Sequence, residues 1–243
     1  MTSFSCFFLF ISTFEPTFET GELKTYSSLL TRNSVKEKSF KIDDHIFCIV
    51  AGLTADANVL LDQARRYAFS YFRQYQEPIP VEVLVRRVCD YKQAYTQSGG
   101  LRPFGVSFLF GGYDAQRGFQ LYFTDPSGNY TGWKGTVIGQ NNQPGKSLLK
   151  DEYEPDTATL ESCTQLGMKV LLKTMDTTAP SPEKFEFTVL RFEGEDRRLV
   201  QETLSEEVVG ELITSLQAEA EAEEGKENQQ AREQAGMEEE EGS

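Results

Sequence analysis

The sequence predicts an α+β fold with antiparallel sheets. Three observations carry this. Strand-like runs stand apart from blocks of paired helices. The apolar runs at 105–114, 118–125 and 130–139 follow one another with only short turns between them, as antiparallel neighbours do. Each helical segment has a single apolar stripe, which suits a helix laid on a sheet.

Residues 1–28 are rich in phenylalanine and show no clear period. VKEKSFKIDDHIFCIVAGL, 35–53, reads as two strands around an Asp43-Asp44 turn. Thr54 is expected to cap the first helix, with Asp56 in its first turn, facing the positive end of the dipole. Leu60, Ala64, Tyr67, Ala68, Tyr71 and Tyr75 recur at helical spacing as its buried stripe. Pro78 and Pro80 end that helix and open the next. Val81, Leu84, Val88, Tyr91 and Tyr95 form the second stripe, and Gly99-Gly100 stops it.

A third helical region spans 145–175, with a break near Pro155. In its second half Leu160, Cys163, Gly167, Val170 and Leu171 share a face. Phe185, Phe187 and Val189 alternate as strand residues do, and RRLVQETL, 197–204, is their expected partner. Ser205 caps a last helix whose apolar face is Val208, Val209, Leu212, Ile213 and Leu216. Beyond Leu216 the apolar period stops. The remaining segment has too little apolar surface to offset chain entropy and is expected to be disordered or frayed helix.

The 243 residues carry 38 Asp+Glu against 24 Lys+Arg. Most of that excess is local: from Glu219 onward ten glutamates face only Lys226 and Arg232. The body lacks the basic stripe that a nucleic-acid surface needs. No run approaches the roughly 20 apolar residues of a membrane span, so neither a nucleic-acid nor a membrane partner is expected. Cys6, Cys48, Cys89 and Cys163 make no CxxC pair. The last three fall among apolar residues and read as reduced structural thiols, which places the chain in the cytoplasm or nucleus.

The most distinctive text is DPSGNYTGWKGTVIG, 125–139. Asp125-Pro126-Ser127-Gly128 is a turn with proline at its second position and glycine near its end. The hairpin offers no nucleophile–base pair and no metal ligands. Its wording resembles the signature hairpin of 20S proteasome alpha subunits. AGLTADANVL (51–60), QYQEPIP (74–80), CDYKQAYTQSGGLRPFGVSFLFGGYD (89–114) and KTMD (173–176) resemble the same family in the same order. The likeness runs from about Leu29 to about Leu216.

That resemblance implies a four-layer α-β-β-α sandwich of the Ntn-hydrolase type, with two antiparallel sheets flanked by helices. The family's gating tail, its RLYQVEYA-like motif and its first two strands have no counterpart in 1–28. The implied organisation is an atypical N-terminal segment (1–28), a proteasome alpha-type domain (29–217) and an acidic tail (218–243). The implied function is structural and non-catalytic, within ubiquitin-dependent protein degradation. Implied partners are sibling alpha subunits in a heteroheptameric ring, beta subunits, and the C-terminal tails of regulatory-particle ATPases or other activators. No cofactor and no metal are implied.

Individual residues admit two readings. Lys38 in EKSFKIDD matches the family's lysine that pairs with an activator's tail carboxylate, and Gly52 and Leu53 match the pocket floor. A buried carboxylate needs such a cation. As a bare residue, Lys38 is an exposed strand lysine. Thr2 would lead the chain if Met1 were removed, as an N-terminal threonine hydrolase requires. However, the family's catalytic aspartate and lysine would fall at Phe18 and Ser34. His45, the sole histidine, reads as a solvated turn residue. Asp43, Asp44 and Asp56 match no calcium loop. Trp133 is expected to pack, in the core or against a neighbouring subunit. A third reading is an acidic interaction protein outside any particle.

Overall fold

The structure, a computed structural model, describes residues 9–12, 38–139, 141–154, 157–174, 182, 185–194 and 198–218. The acidic tail and Thr2 lie outside the described residues. Strands β2 (Ser39–Asp43), β3 (Ile46–Gly52), β4 (Val106–Asp114), β5 (Gly118–Thr124) and β6 (Tyr130–Trp133) form one antiparallel sheet in chain order. Helices α1 (Thr54–Tyr75) and α2 (Val81–Gln97) interrupt it between β3 and β4. A second layer of strands holds two separate pairs. Strand β1 (Leu9–Ser12) runs parallel to β7 (Gly135–Ile138), and β8 (Thr188–Glu193) runs antiparallel to β9 (Arg198–Thr203). The remaining helices are α3 (Asn142–Glu152), α4 (Leu160–Thr174) and α5 (206–218).

Three buried clusters show how the layers stack. Along β3, Ile46, Cys48 and Val50 point into a cluster with Leu60, Ala64, Leu84 and Val88 of α1 and α2. The intervening Phe47 and Ile49 point the other way, into a cluster with Leu109, Leu121, Ile138 and Leu190. That alternation is the two-residue period of a strand buried on both faces. The third cluster joins Val137 of β7 to Leu149, Met168, Val170, Val209 and Ile213 of α3, α4 and α5. The order is therefore helices, sheet, sheet, helices, the expected four-layer sandwich.

Several local expectations change. YTGWKGTVIG is not one strand. It breaks at Lys134, so that 130–133 closes the first sheet and 135–138 crosses into the second layer. Thr54 does not cap α1. Leu53 occupies that position and has no side-chain acceptor to cap with; its own N–H is held by the Gly105 carbonyl at 2.9 Å. Tyr75 is about half exposed and outside the buried stripe. Phe185 and Phe187 are buried in the helix-side cluster but precede β8. Residues 9–12 form a strand although 1–28 shows no period.

Helix α1 ends at Gln76, a non-glycine residue in the left-handed region (φ 58°), whose N–H reaches the Phe72 carbonyl at 2.8 Å. Pro80, with extended backbone, then leads the chain into α2.

Candidate functional site

Lys38, Gly52 and Leu53 come together at one end of the first sheet. The Val50 N–H donates to the Lys38 carbonyl at 3.0 Å, which extends the β2–β3 ladder to Lys38. Gly52 ends β3 with φ 125°, a conformation side chains disfavour. A Cβ there would sit 2.3 Å from the Gly105 carbonyl oxygen. Leu53 follows, with half of its surface exposed, and its side chain lies against Gly105.

Asp56 fixes this corner. Its carboxylate accepts two hydrogen bonds from the Arg102 guanidinium, at 2.6 and 2.7 Å, and one from the Gly105 N–H at 2.9 Å. The Arg102 hydrogen bonds hold the Asp56 carboxyl below its ordinary range, against burial, with Gly105 adding to the effect. The first turn of α1 is thereby tied to the 101–105 loop. Asp56 stands in the first turn of α1, as expected, and also serves as a loop clamp.

Glu186 stands beside Lys38. Its carboxylate accepts from the Ser39 hydroxyl and, at 3.5 Å, from the Lys38 N–H. Ser39 in turn accepts from the Thr188 hydroxyl at 3.2 Å. These contacts join the two strand layers at the candidate corner. The sequence contains no local signal for Glu186, because it lies 148 residues from Lys38.

The Asp125 turn is docked on α2. Asp125 Oδ1 accepts from the Ser127 N–H, the Ser127 hydroxyl and the Asn129 N–H at 2.9, 2.5 and 3.1 Å. Burial pushes the Asp125 carboxyl up, but these donors and the charge of Lys92 outweigh it, leaving the group below its usual range. Gly128, at φ 90°, lies so close to α2 that a Cβ would meet the Cys89 carbonyl at 2.6 Å. Beneath the turn, Lys92 is fully buried. Its ammonium donates to the Val106 carbonyl at 3.0 Å and the Thr124 hydroxyl at 3.3 Å, and lies 5.4 Å from the centre of the Phe108 ring. Burial pulls its pKa down to about 8, with Cys89 and Asp125 pushing the other way. Sequence reading missed Lys92, since a lysine on a helix is ordinarily solvated.

His45 is mostly buried, contrary to the solvated reading. Its Nε2 lies 2.7 Å from the Ile79 carbonyl, and its Nδ1 is 3.7 Å from Asp43. The imidazole ties the β2–β3 turn to the segment between α1 and α2. Asp44 pairs with Lys41 at 2.7 Å. Among the described residues no acidic, histidine or cysteine cluster could hold a metal, and no helix is long and apolar enough to cross a membrane. Trp133 is not in the core: it lies on the edge strand β6, about half exposed, and its indole N–H donates to Thr131 at 2.7 Å.

The stacked layers and the docked hairpin define a proteasome-type sandwich. Residues 21–190 match the family model described as Proteasome subunit, and the chain belongs to that family. Within it, the chain is 56% identical over 166 residues to proteasome subunit alpha type-4-A of Arabidopsis thaliana, covering 68% of this chain and 66% of that protein. It is 50% identical over 193 residues to proteasome subunit alpha type-4-1 of Oryza sativa subsp. indica, covering 79% and 77%. It is 52% identical over 178 residues to proteasome subunit alpha type-4 of Dictyostelium discoideum, covering 72% and 71%. The match therefore spans 66% to 77% of the length of these relatives.

Proposed function

We propose that this chain is a non-catalytic structural subunit of the alpha-type ring of the 20S proteasome, acting in ubiquitin-dependent protein degradation in the cytoplasm and nucleus. The observation that carries the reading is the 50–56% identity to proteins named proteasome subunit alpha type-4. Its partners are sibling alpha subunits in a heteroheptameric ring, closed by head-to-tail contacts, and the beta subunits, to which proteolysis belongs. The body at 29–217 carries these contacts, flanked by an atypical segment at 1–28 and an acidic tail at 218–243. Exposed Phe69, Phe72 and Tyr75 on α1 support the reading, since large apolar side chains grouped on one face mark a contact surface.

In this reading Lys38, Gly52 and Leu53 form a border pocket for the C-terminal tails of activator ATPases. Lys38 meets the tail carboxylate, and the Gly52–Leu53 turn is its floor. Sedimentation of the native protein with identification of co-migrating chains tests the first part. Co-migration with other proteasome subunits is expected; a free 27.5 kDa species would overturn it in favour of an isolated acidic interaction protein. Labelling of this chain by a covalent probe for N-terminal threonine would overturn the non-catalytic assignment. For the pocket, Lys38→Ala in assembled particles is expected to weaken binding of a tail peptide about tenfold, the loss of one charge-assisted contact, and unchanged affinity would remove the pocket.

A further inference from the structure

Strand β7 is buried on both faces. Val137 points into the α3–α4–α5 cluster, Ile138 points into the cluster between the sheets, and Thr136 is buried as well. The N–H and C=O groups of such a strand have no route to water and must be paired laterally. Residues 9–12 supply that pairing, with Leu9, Phe10, Ile11 and Ser12 in register with Gly135, Thr136, Val137 and Ile138. The pairing is parallel. Parallel strands are covered on both faces and read as unbroken apolar runs, and Phe7-Phe8-Leu9-Phe10-Ile11 is such a run.

We propose that the edge of β7 is a strand-acceptor site for a short apolar extended peptide, and that this chain fills it with its own residues 9–12. The recognition is β-augmentation: main-chain hydrogen bonds hold the donor, and an apolar donor suits the buried layer. The N-terminal segment thus closes an edge that would otherwise bind a strand from another chain. The inference rests on the β1–β7 register and is independent of the proteasomal reading.

The test uses the full chain and amide hydrogen exchange read by mass spectrometry over 135–138. A parallel ladder uses alternate donor amides, so a Phe10→Pro, Ile11→Pro double variant removes one whichever set faces β7. The expected result is exchange at 135–138 at least about tenfold faster than in the parent. A Glu19→Pro, Thr20→Pro control, outside the strand, is expected to leave that rate unchanged. If protection elsewhere falls as well while the control stays intact, the strand is part of the cooperative core and the proposal stands. Unchanged exchange at 135–138 in the double variant, or an equal loss in the control, would overturn it. A synthetic peptide spanning residues 7–14, with lysines appended for solubility, is expected to restore protection to the double variant. Failure at saturating peptide would remove the acceptor site.

Discussion

The two halves of the sandwich are built differently. In the first, β2 to β6 pair in chain order, with the only large detour made by α1 and α2. In the second, β7 takes its partner from residues more than a hundred positions earlier, and among the described residues β8 and β9 pair only with each other. The first half also holds both buried charges found among the described residues, Asp56 and Lys92. Local pairing gives a strand its neighbour at low loop-closure cost, whereas the β1–β7 pairing must close a long loop first. The half with cheap connections is the one that carries the buried charges in its core.

Five substitutions probe this contrast. Gly52→Ala forces a Cβ into the Gly105 carbonyl at an unfavourable φ. We expect a loss of about 4 kcal/mol in urea unfolding. The same change at Gly145, where the neighbours are the side-chain methyls of Thr174 and Val170 at 3.0 Å, is expected within about 1 kcal/mol of neutral, because helix propensity offsets the crowding. Equal costs at the two glycines would erase the distinction. Next, Leu109→Ala empties the seam between the two strand layers and should cost about 3 kcal/mol. Its unfolding should remain a single transition by both fluorescence and far-UV circular dichroism. Separate transitions would show that the halves melt independently.

Lys92 gives a pH-dependent signature. Its folded pKa lies below the unfolded value, so the unfolded chain binds the extra proton between pH 8 and 10.5. Stability contributed through this group therefore rises as pH rises through that window. Lys92→Met should remove that rise. Relative to the variant, the parent should gain on the order of 2 kcal/mol between pH 7.5 and 10.5, and parallel pH profiles would refute the assignment. Arg102→Ala gives the opposite pH signature. The Asp56 carboxyl is held low in the folded state, so what the clamp contributes is present above pH 4 and lost as pH falls further. Thermal midpoints of parent and variant should differ at pH 7, and the difference should shrink as pH falls below 4.

The sequence was most readable where its signals are local. The two strand runs around the Asp43-Asp44 turn and the Asp125-Pro126-Ser127-Gly128 turn were enough to place the first sheet. The helix stripes placed the outer layers. What escaped reading was decided by tertiary partners. Nothing between Trp133 and Gly135 announces a change of sheet, since both flanks have strand composition. Thr54 and Asp56 look like a helix start, but Arg102 and Gly105 recruit the aspartate from a distant loop. Lys92 is hidden because its burial depends on a hairpin more than thirty residues downstream. At the candidate corner, Lys38, Gly52 and Leu53 were legible only through resemblance, and Glu186 was not legible at all.

The cysteines extend the comparison. Cys48 and Cys89 are buried between the first sheet and its helices, and Cys163 is buried on the far side. Burial raises the Cys48 thiol well above its ordinary range and pushes Cys89 up to about 12. Native chains should therefore resist an alkylating reagent until a layer opens. With Cys6 replaced by serine, the adduct mass at each site becomes a stopwatch for the layer that holds it, and a single timed labelling reaction would reveal which half of this sandwich breathes first.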